Sequence, residues 1–503
     1  MNVPLPVFVV LPLIAAFLLP LLGKKYKTAA TVLANVVTIL LLLLAIGSIG
    51  QSRVYEVGKW PIPLGINMVL DGLSALLLLA IGVVSTAAML FSVRYMEQYT
   101  AKAKFLCLFL LMVAGMNGVV LSGDIFNLFV FLEIASIASY ALVGFGCEHE
   151  ELEASFKYMV LGSIASMFVL FAVALVYGNT GTLNMAYISE AIEVSGLNIG
   201  LGFALALFIA GFSLKAALVP FHAWLPDAHP SAPAPISAML SGVLIKALGV
   251  YALCRIVFNM FGVSIQLGWL LVTLGILSMI VGAFLAIGQW DFKRLLAYSS
   301  ISQIGYVVLG IGLGAVILAG DGEVATASLA ILGGLFHLLN HAVYKSLLFL
   351  TSGSVQMSTG TREMREMGGL ADKMPVTRTT CTIASASIAG VPPFSGFWSK
   401  LILVIAAVQA GFYWIAAVIV FVSLCTLIMY LKVQRYVFLG ELGENLGEVK
   451  ENKGSMQIAM VSLACLCVLM GLLLFVPGLR ENILEPAVKV LTDGLEYSSI
   501  VMK

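Results

Sequence analysis

Residues 211–235 read GFSLKAALVPFHAWLPDAHPSAPAP and break an otherwise apolar run with several prolines. A second apolar run is broken at residues 390–400, which read GVPPFSGFWSK. Proline inside a helix removes a backbone hydrogen bond and bends or splits the helix. Each stretch also carries a lysine, Lys215 or Lys400, close to the break. The pattern therefore predicts two membrane helices that are interrupted beside a charged side chain.

The composition around these stretches is that of a membrane protein. Of the 503 residues, 61% are hydrophobic and 11% are charged, whereas soluble proteins carry about 25% charged residues. Apolar runs of about 20 residues, long enough to cross a bilayer, recur along the chain, and lipid forces each of them to be helical. We predict an all-α polytopic membrane protein with about 14 transmembrane helices, centred near residues 13, 39, 80, 113, 136, 167, 209, 247, 277, 307, 338, 394, 424 and 467.

The basic residues distinguish the two sides of the membrane. With the amino terminus outside, the outside loops hold Arg53 and Lys59, and the outside tail holds Arg480, Lys489 and Lys503. The inside loops then hold Lys24, Lys25, Lys27, Arg94, Lys102, Lys104, Lys293, Arg294, Arg362, Arg365, Lys373, Arg378, Lys432, Arg435, Lys450 and Lys453. Because loops rich in lysine and arginine stay in the cytoplasm, we expect a multi-pass protein of a prokaryotic plasma membrane with both termini outside.

The chain shows no linker that would separate folded domains, so residues 1–503 are expected to form a single membrane domain. Broken helices in corresponding halves of a transporter indicate an ion path between inverted repeats. We therefore predict N-terminal helices at 1–104, a first inverted five-helix repeat at 105–260, a second at 265–438, and a last helix and tail at 456–503.

Several ionisable side chains lie inside the predicted spans. A charge at the bilayer centre costs about 2.5–3.5 kcal/mol, so a chain that keeps such groups uses them or pairs them. Glu133 lies far from either end of its apolar run and either tunes a buried lysine or forms a structural ion pair. The distance to a carboxylate influences whether a buried lysine holds its proton. Lys215 is therefore a candidate proton carrier, unless it extends to the membrane interface.

Further along the chain, Lys246 lies among small residues, as at a tight helix interface that admits water. Lys400 is either the last lysine of an ion path or a residue that flanks the membrane. His337, His341 and Lys345 recur at i, i+4 and i+8, which places them on one stripe of a helix. Neutral histidine can accept and pass a proton near physiological pH. The alternatives are satisfied core histidines or metal ligands, and two histidines without a third ligand disfavour a metal site.

The proline-rich break carries His222, Asp227 and His229, which either assist proton uptake from the inside or have a structural role. Asp124 stands at the start of the helix that contains Glu133 and is predicted to cap it. Arg255 stands near the end of a span and is predicted to anchor that span at the membrane interface.

The cysteines are scattered without paired CxxC motifs and are interpreted mostly as small core residues. Cys147 and His149 are close in sequence but are interpreted as part of a loop at a helix end. We therefore predict no metal ion and no redox cofactor in this chain. No basic block with interleaved aromatic residues indicates a nucleic-acid partner.

Four ordered motifs resemble the antiporter-like subunits of respiratory complex I, of Mrp-type Na⁺/H⁺ antiporters and of membrane-bound hydrogenases. They are GDIFNLFVFLEI (123–134), KAALVPFHAWLPDAHPSAPAPISAMLSGVLIKALGVYA (215–252), DFKRLLAYSSISQIGY (291–306) and GVPPFSGFWSK (390–400). The resemblance implies a role for each buried charge. Glu133 looks like the family's fifth-span glutamate, Lys215 like the lysine of its broken seventh span, Lys246 like its eighth-span lysine, His337 and His341 like its central histidines, and Lys400 like its terminal twelfth-span residue.

Two of the motifs differ in the branch that they favour. GDIFNLFVFLEI and TGTLNMA (180–186) look most like the D-type component of Mrp antiporters, whereas WLPDAHPSAPAPISAML (224–240) looks more like complex I and the hydrogenases. That mixture is similar to the H-type subunit of group 4 membrane-bound hydrogenases.

The resemblance implies a proton-translocating subunit of a redox-driven complex, without a catalytic centre of its own. Its expected partners are Mrp-like small membrane subunits, a hydrogenase or dehydrogenase module, and the lipid bilayer. Protons are the expected cargo, with sodium ions as a second candidate. The alternatives are the D-type component of a multisubunit Mrp-type antiporter and a non-transporting membrane scaffold.

Overall fold

A computed structural model describes residues 4–320, 322–443, 446 and 448–502. Lys503, placed in the outside tail above, lies beyond them. In chain order the helices are α1 (Val7–Lys25), α2 (Lys27–Gly47), α3 (Gly72–Tyr95), α4 (Lys102–Leu121), α5 (Ile125–Val143), α6 (His149–Thr180), α7 (Met185–Ser195), α8 (Ile199–Lys215), α9 (Leu225–Ser231), α10 (Ala234–Met239), α11 (Ala252–Cys254), α12 (Ile265–Gly288), α13 (Phe292–Ala319), α14 (Val324–Thr359), α15 (Pro375–Ala389), α16 (Ser395–Gln409), α17 (Tyr413–Val433), α18 (Ser455–Leu469), α19 (Pro477–Leu479), α20 (Glu485–Thr492) and α21 (Gly494–Val501).

About half of these helices belong to segments that can cross a bilayer. Within the described residues, 11 helical segments are long and apolar enough to do so, and three shorter apolar helices accompany them, at Val7–Gly23, Ile199–Lys215 and Ser395–Gln409. Each predicted span centre falls inside a helical segment, except residue 394, which falls in the break between α15 and α16. The all-α membrane class is confirmed, and the number of crossings stays a prediction.

A small hairpin is the one part of the described chain that the all-α prediction did not include. Strand β1 (Arg53–Glu56) pairs antiparallel with β2 (Asn67–Leu70), with Arg53 opposite Leu70. The hairpin joins α2 to α3. Strands of four residues are too short for an alternating apolar pattern to reveal them.

Two helical segments that carry polar groups are the most deeply buried. The segment Ala234–Met260 runs from α10 to α11 and beyond through wide π-helical turns, and all residues of its most apolar stretch are buried. In α13, 94% of the corresponding stretch is buried. The outer helices expose apolar side chains instead, such as Phe17 and Leu21 of α1. This distribution places the charged groups of the inner helices away from lipid.

One hydrogen-bond pattern ties the start of α5 to the chain that follows α6. Asp124 caps α5 by accepting from the backbone N–H of Asn127 at 2.8 Å, which confirms its predicted role. The backbone N–H of Ile125 donates to the carbonyl of Leu183 at 2.9 Å. The N–H of Met185 donates back to the carbonyl of Gly123 at 3.0 Å. The two segments are thus joined by reciprocal backbone bonds.

The same pattern recurs at the start of α13. Asp291 caps α13 by accepting from the N–H of Arg294 at 2.8 Å. The N–H of Phe292 donates to the carbonyl of Arg362 at 3.0 Å, and the N–H of Met364 donates to the carbonyl of Trp290 at 2.9 Å. In each copy, the second of the two joined segments directly follows a Thr-Gly-Thr turn, at 180–182 or at 359–361. The duplication supports two related halves, and the repeat boundaries at 105–260 and 265–438 stay predictions.

Candidate functional site

Helix α5 and the end of α8 bring Glu133 and Lys215 together. Glu133, Ser136 and Tyr140 stand at i, i+3 and i+7, so one face of α5 carries all three toward α8. The Lys215 Nζ lies 3.9 Å from the Glu133 Oε1 but only 2.9 Å from the Ser136 Oγ and 3.2 Å from the Tyr140 Oη. The ammonium is therefore held by two hydroxyls, with the carboxylate at the outer limit of an ion pair.

The surroundings of this pair are asymmetric. The Lys215 side chain is 3% exposed, whereas the Glu133 side chain is 28% exposed. Glu133 also accepts a hydrogen bond from the hydroxyl of Ser166 on α6. Helix α8 ends at Lys215, where the proline-rich break begins. The carbonyl of Leu214 there accepts from the backbone N–H of Ala217 at 3.1 Å and from the indole N–H of Trp224 at 3.0 Å. The break thus places the lysine at a helix end, where a tryptophan donates a hydrogen bond to the last turn.

Lys246 lies at the centre of the wide helical segment that follows α10. Its side chain is fully buried, and its Nζ donates to the carbonyls of Ser241 and Gly242 at 2.6 Å each. No carboxylate of the described residues lies within ion-pair distance of it. The π-helical turns leave carbonyls free that an α-helix would use internally, because they change the spacing of the backbone bonds. The amine is solvated by this backbone.

His337 and His341, one turn apart on α14, differ in their hydrogen bonding. His337 is bonded on both ring nitrogens, at 2.9 Å to the Ser399 Oγ and at 3.2 Å to the Gln303 Oε1. His341 is equally buried, but neither of its ring nitrogens has a partner in the structure. A buried polar atom without a partner is costly unless water reaches it. His341 is thus free to take a water molecule or a neighbouring side chain.

Lys345 and Lys400 are both buried and both held by neutral oxygens. Lys345 donates to the hydroxyl of Ser299 and, at 3.2 Å, to the Tyr430 Oη. Lys400, on α16 just after the second break, donates to the carbonyl of Ile388 at 2.8 Å and to the Ser423 Oγ at 3.1 Å. A buried charge without an opposite partner is costly, so neither lysine belongs to a structural ion pair with a carboxylate.

Helix α13 supplies a group of residues that the sequence reasoning missed. One stripe of its polar side chains touches members of the predicted path in turn. Ser299 contacts Lys345, Ser300 contacts Ser241 beside Lys246 at 2.7 Å, Gln303 contacts His337, and the ring of Tyr306 lies 5.1 Å from the Lys400 Nζ. The available signal was the run SSISQ at 299–303, which is polar in the middle of an apolar span. α13 therefore contacts Lys345, His337 and Lys400 directly, and the Lys246 segment through Ser241.

The residues predicted for proton uptake separate into two environments. Asp227 is part of an exposed ion-pair network, with Lys157 and Arg294 each at 3.1 Å. His229 is fully buried, has no partner on either ring nitrogen, and stacks on the ring of Phe349 at 4.5 Å. His222 is only partly buried and lies in the chain before α9. The structure therefore does not gather these three side chains into one cluster.

Two predictions about basic residues were wrong. Arg255 is not an interface anchor: it is 1% exposed and pairs with the fully buried Asp71 at the start of α3, at 2.7 Å. The Tyr251 hydroxyl, the Asn259 amide oxygen and the Ser74 hydroxyl also accept from its guanidinium. Lys293, placed in an inside loop, is instead part of α13 and is 2% exposed. Sequence position near a helix end does not reveal whether neighbouring elements cover that end.

Within the described residues, no group of three His, Cys, Asp or Glu side chains is placed to hold a metal ion. The geometry instead groups single buried amines and imidazoles with hydroxyls and carbonyls. Such groups can accept, hold and pass protons.

Comparison with known proteins identifies the family of this chain. Residues 122–426 match the family described as NADH:quinone oxidoreductase/Mrp antiporter, transmembrane. Residues 56–106 match the complex I chain 5 N-terminus family. The chain is 37% identical to the N-type component of the NADH-quinone oxidoreductase of Desulforudis audaxviator, over 78% of this chain and 76% of that protein. It is 33% identical to the D-type component of the Na(+)/H(+) antiporter of Alkalihalophilus pseudofirmus, over 92% and 93%.

Solved structures agree as well. A chain of the Mrp complex from Dietzia sp. DQ12-45-1b superimposes with a TM-score of 0.90 and 29% identity, over 99% of both chains. A chain of the membrane-bound sulfane sulfur reductase, an archaeal respiratory membrane complex, superimposes with a TM-score of 0.87 and 34% identity, over 99% of both chains. The protein thus belongs to the NADH:quinone oxidoreductase/Mrp antiporter family of membrane subunits.

Proposed function

We propose that this chain translocates protons as the antiporter-like membrane subunit of a redox-driven energy-converting complex. The observation that carries the proposal is the Lys215 amine, buried between the Glu133 carboxylate and two hydroxyls. The identity to the sulfane sulfur reductase chain over its whole length, and to the N-type component of an NADH-quinone oxidoreductase, supports the redox-driven assignment.

The mechanism begins with the spacing of this pair. At 3.9 Å the carboxylate stabilises the ammonium by attraction without a short hydrogen bond that would lock it. If Glu133 moves away, the buried charge loses its compensation and the amine favours release of its proton. Ser136 and Tyr140 can hold the neutral amine in place while this happens, because hydroxyls act as donors as well as acceptors. The pair is thus a switch with two stable arrangements.

The released proton then passes along the buried lysines and histidines. Lys246, His341 and Lys345 are fully buried, and His337 and Lys400 follow toward the second break. The free nitrogens of His341 and the small side chains near Lys246 leave room for water, which completes the path between successive groups. Repulsion between neighbouring cations favours passage of one charge at a time.

The D-type component of an Mrp-type antiporter is a second candidate. The 33% identity to such a component over nearly the whole of both chains favours it. In that case a gradient of Na⁺ or H⁺, and not electron transfer, drives ion movement along the same buried path. A non-transporting scaffold is disfavoured because it would carry the insertion cost of each buried charge with no function to offset it.

The decisive experiment replaces Lys215 by alanine in the assembled complex and measures proton movement in sealed vesicles. The matched control is Lys373→Ala, because Lys373 is an exposed lysine between α14 and α15. Loss of transport in Lys215→Ala, with intact assembly and an unaffected control, supports the proposal. Unchanged transport in Lys215→Ala favours the scaffold.

The same vesicles separate the two transport candidates. Proton uptake that requires a reductant for the partner module supports the redox-driven complex. Proton movement that follows a sodium pulse without reductant supports the Mrp-type antiporter.

We further propose a prokaryotic plasma membrane with both termini outside, which a tag on each terminus can test by protease access from either side.

A further inference from the structure

We propose that a cavity ending at Lys293 is the inlet from the inside solution to the buried proton path, and that Lys293 is its innermost protonatable group. This inference rests on the proposed function. The inlet is on the inside face. It differs from the uptake residues that the sequence predicts in the proline-rich break.

The cavity has a volume of about 410 Å³ and lies where the ends of several helices meet. Its wall comes from the end of α3, the start of α6, the chain between α9 and α10, the start of α13, and the end of α14 with the turn that follows. Both halves of the chain therefore contribute to it. Its charged lining residues are Glu148, Glu150, Glu151, Lys293 and Arg362.

Three glutamates line the cavity near the surface, and one of them, Glu150, pairs with Arg362 at 3.5 Å, so acidic groups outnumber the basic group there. They stand at the start of α6, and the Glu150 side chain is 79% exposed. Carboxylates around a cleft raise the local concentration of cations, protons included. The inner end is different, because the Lys293 side chain is almost fully buried and its Nζ donates to the carbonyl of Ala232 at 3.0 Å. The cavity thus runs from an acidic mouth to a buried amine.

Residues further along α13 connect Lys293 to the proposed path. Lys293 is on α13, and Ser299 and Ser300 follow about two turns further along the same helix, in contact with Lys345 and with the Lys246 segment. Three residues before Ala232 stands His229, whose ring stacks on Phe349. The Lys345 Nζ lies 5.7 Å from the centre of that same ring. His229, with both ring nitrogens free, is thus the neighbour of both the cavity wall and the path.

A neighbouring cavity of about 510 Å³ does not lead inward in this way. It contains Asp227, and its floor consists of ion pairs: Asp227 with Arg294, and Asp291 with Arg362 at 3.3 Å. Arg362 also donates to the carbonyl of Pro230 at 2.6 Å, and these two residues line both cavities. None of the residues lining this second cavity is a buried, unpaired ionisable group. The geometry therefore favours Lys293, and not Asp227, as the inlet.

The first test blocks each cavity separately in the assembled complex. Cys147 and Cys465, the exposed native cysteines, are replaced by serine. Ser231→Cys then places a thiol in the Lys293 cavity, and Glu153→Cys places one in the neighbouring cavity. A membrane-impermeant cationic thiosulfonate reagent is added from the inside. We expect proton transport to fall at least about tenfold in Ser231→Cys and less than about twofold in Glu153→Cys. Complete labelling of Ser231→Cys without loss of transport overturns the proposal.

The second test separates a protonatable Lys293 from a structural one. Glutamine can still donate to the Ala232 carbonyl but cannot titrate, whereas histidine can titrate. We expect transport to fall at least about tenfold in Lys293→Gln and to recover partly in Lys293→His. Full transport in Lys293→Gln shows that the lysine is structural and overturns its assignment. If Lys215→Ala abolishes transport while blocking the cavity has no effect, the inlet is wrong and the proposed function still holds.

Discussion

The hydroxyls of Ser300 on α13 and Ser241 beside Lys246 lie 2.7 Å apart, Oγ to Oγ. This contact joins the two halves of the chain at the level of the buried lysines. Ser241 also offers its carbonyl to the Lys246 Nζ at 2.6 Å, so the position of Ser300 bears on the position of the amine. The stripe on α13 therefore positions groups of the path as well as contacting them.

Ser300→Ala should lower proton transport severalfold, because it removes the hydroxyl that holds the Ser241 segment. Ser302→Ala is the matched control, since the Ser302 hydroxyl donates to the carbonyl of Met279 at 3.0 Å, away from the stripe. Initial rates in vesicles with equal amounts of assembled complex provide the comparison. Equal losses in the two variants would contradict a role for the stripe.

Glu133→Gln should lower transport by about 10²-fold or more, which is the usual effect of removing a proton-transfer group. Glutamine can still accept from the Ser166 hydroxyl, so the helix contact is kept while the charge is lost. Glu448→Gln serves as the control, because that side chain is 80% exposed. Transport within about twofold of the parent in Glu133→Gln would make the carboxylate a structural partner.

Arg255→Met should destabilise the protein by about 3–5 kcal/mol, because it leaves the Asp71 carboxylate buried and unpaired. The pair itself is fully enclosed, at 1% and 0% exposure. The double variant Asp71→Asn with Arg255→Met should recover part of that loss, since no charge is then left without compensation. Thermal unfolding of the detergent-solubilised complex measures both. A double variant less stable than Arg255→Met would argue against a paired role.

Gly249→Ala should disturb the break at Lys215. A Cβ at Gly249 would meet the backbone nitrogen of Ala216 at 2.5 Å and its Cα at 2.6 Å. Overpacking of this kind costs about 1–3 kcal/mol and moves the backbone. Transport should therefore fall, because Lys215 directly precedes Ala216 and would move with it. Gly178→Ala is the control, because its Cβ would meet no atom within 4 Å; a similar loss there would show that the effect is not local.

The sequence alone predicts the membrane class, the apolar helical segments and the two breaks. These follow from local chemistry, because lipid forces apolar segments into helices and proline interrupts them wherever it occurs. It also identified Glu133, Lys215, Lys246, Lys345 and Lys400 as unusual, since a charge inside an apolar run is costly whatever surrounds it.

Which groups meet depends on how distant segments of the chain pack together. Lys293 and Arg255 could not be placed from sequence, because burial near a helix end depends on elements far along the chain, such as the start of α3 for Arg255. The hydroxyls that hold each amine were equally hidden. The polar run SSISQ at 299–303 marks a polar face of α13 but does not show which groups that face contacts. The role of these polar side chains becomes clear only when packing brings them within hydrogen-bond distance of a buried amine, where few other polar partners exist.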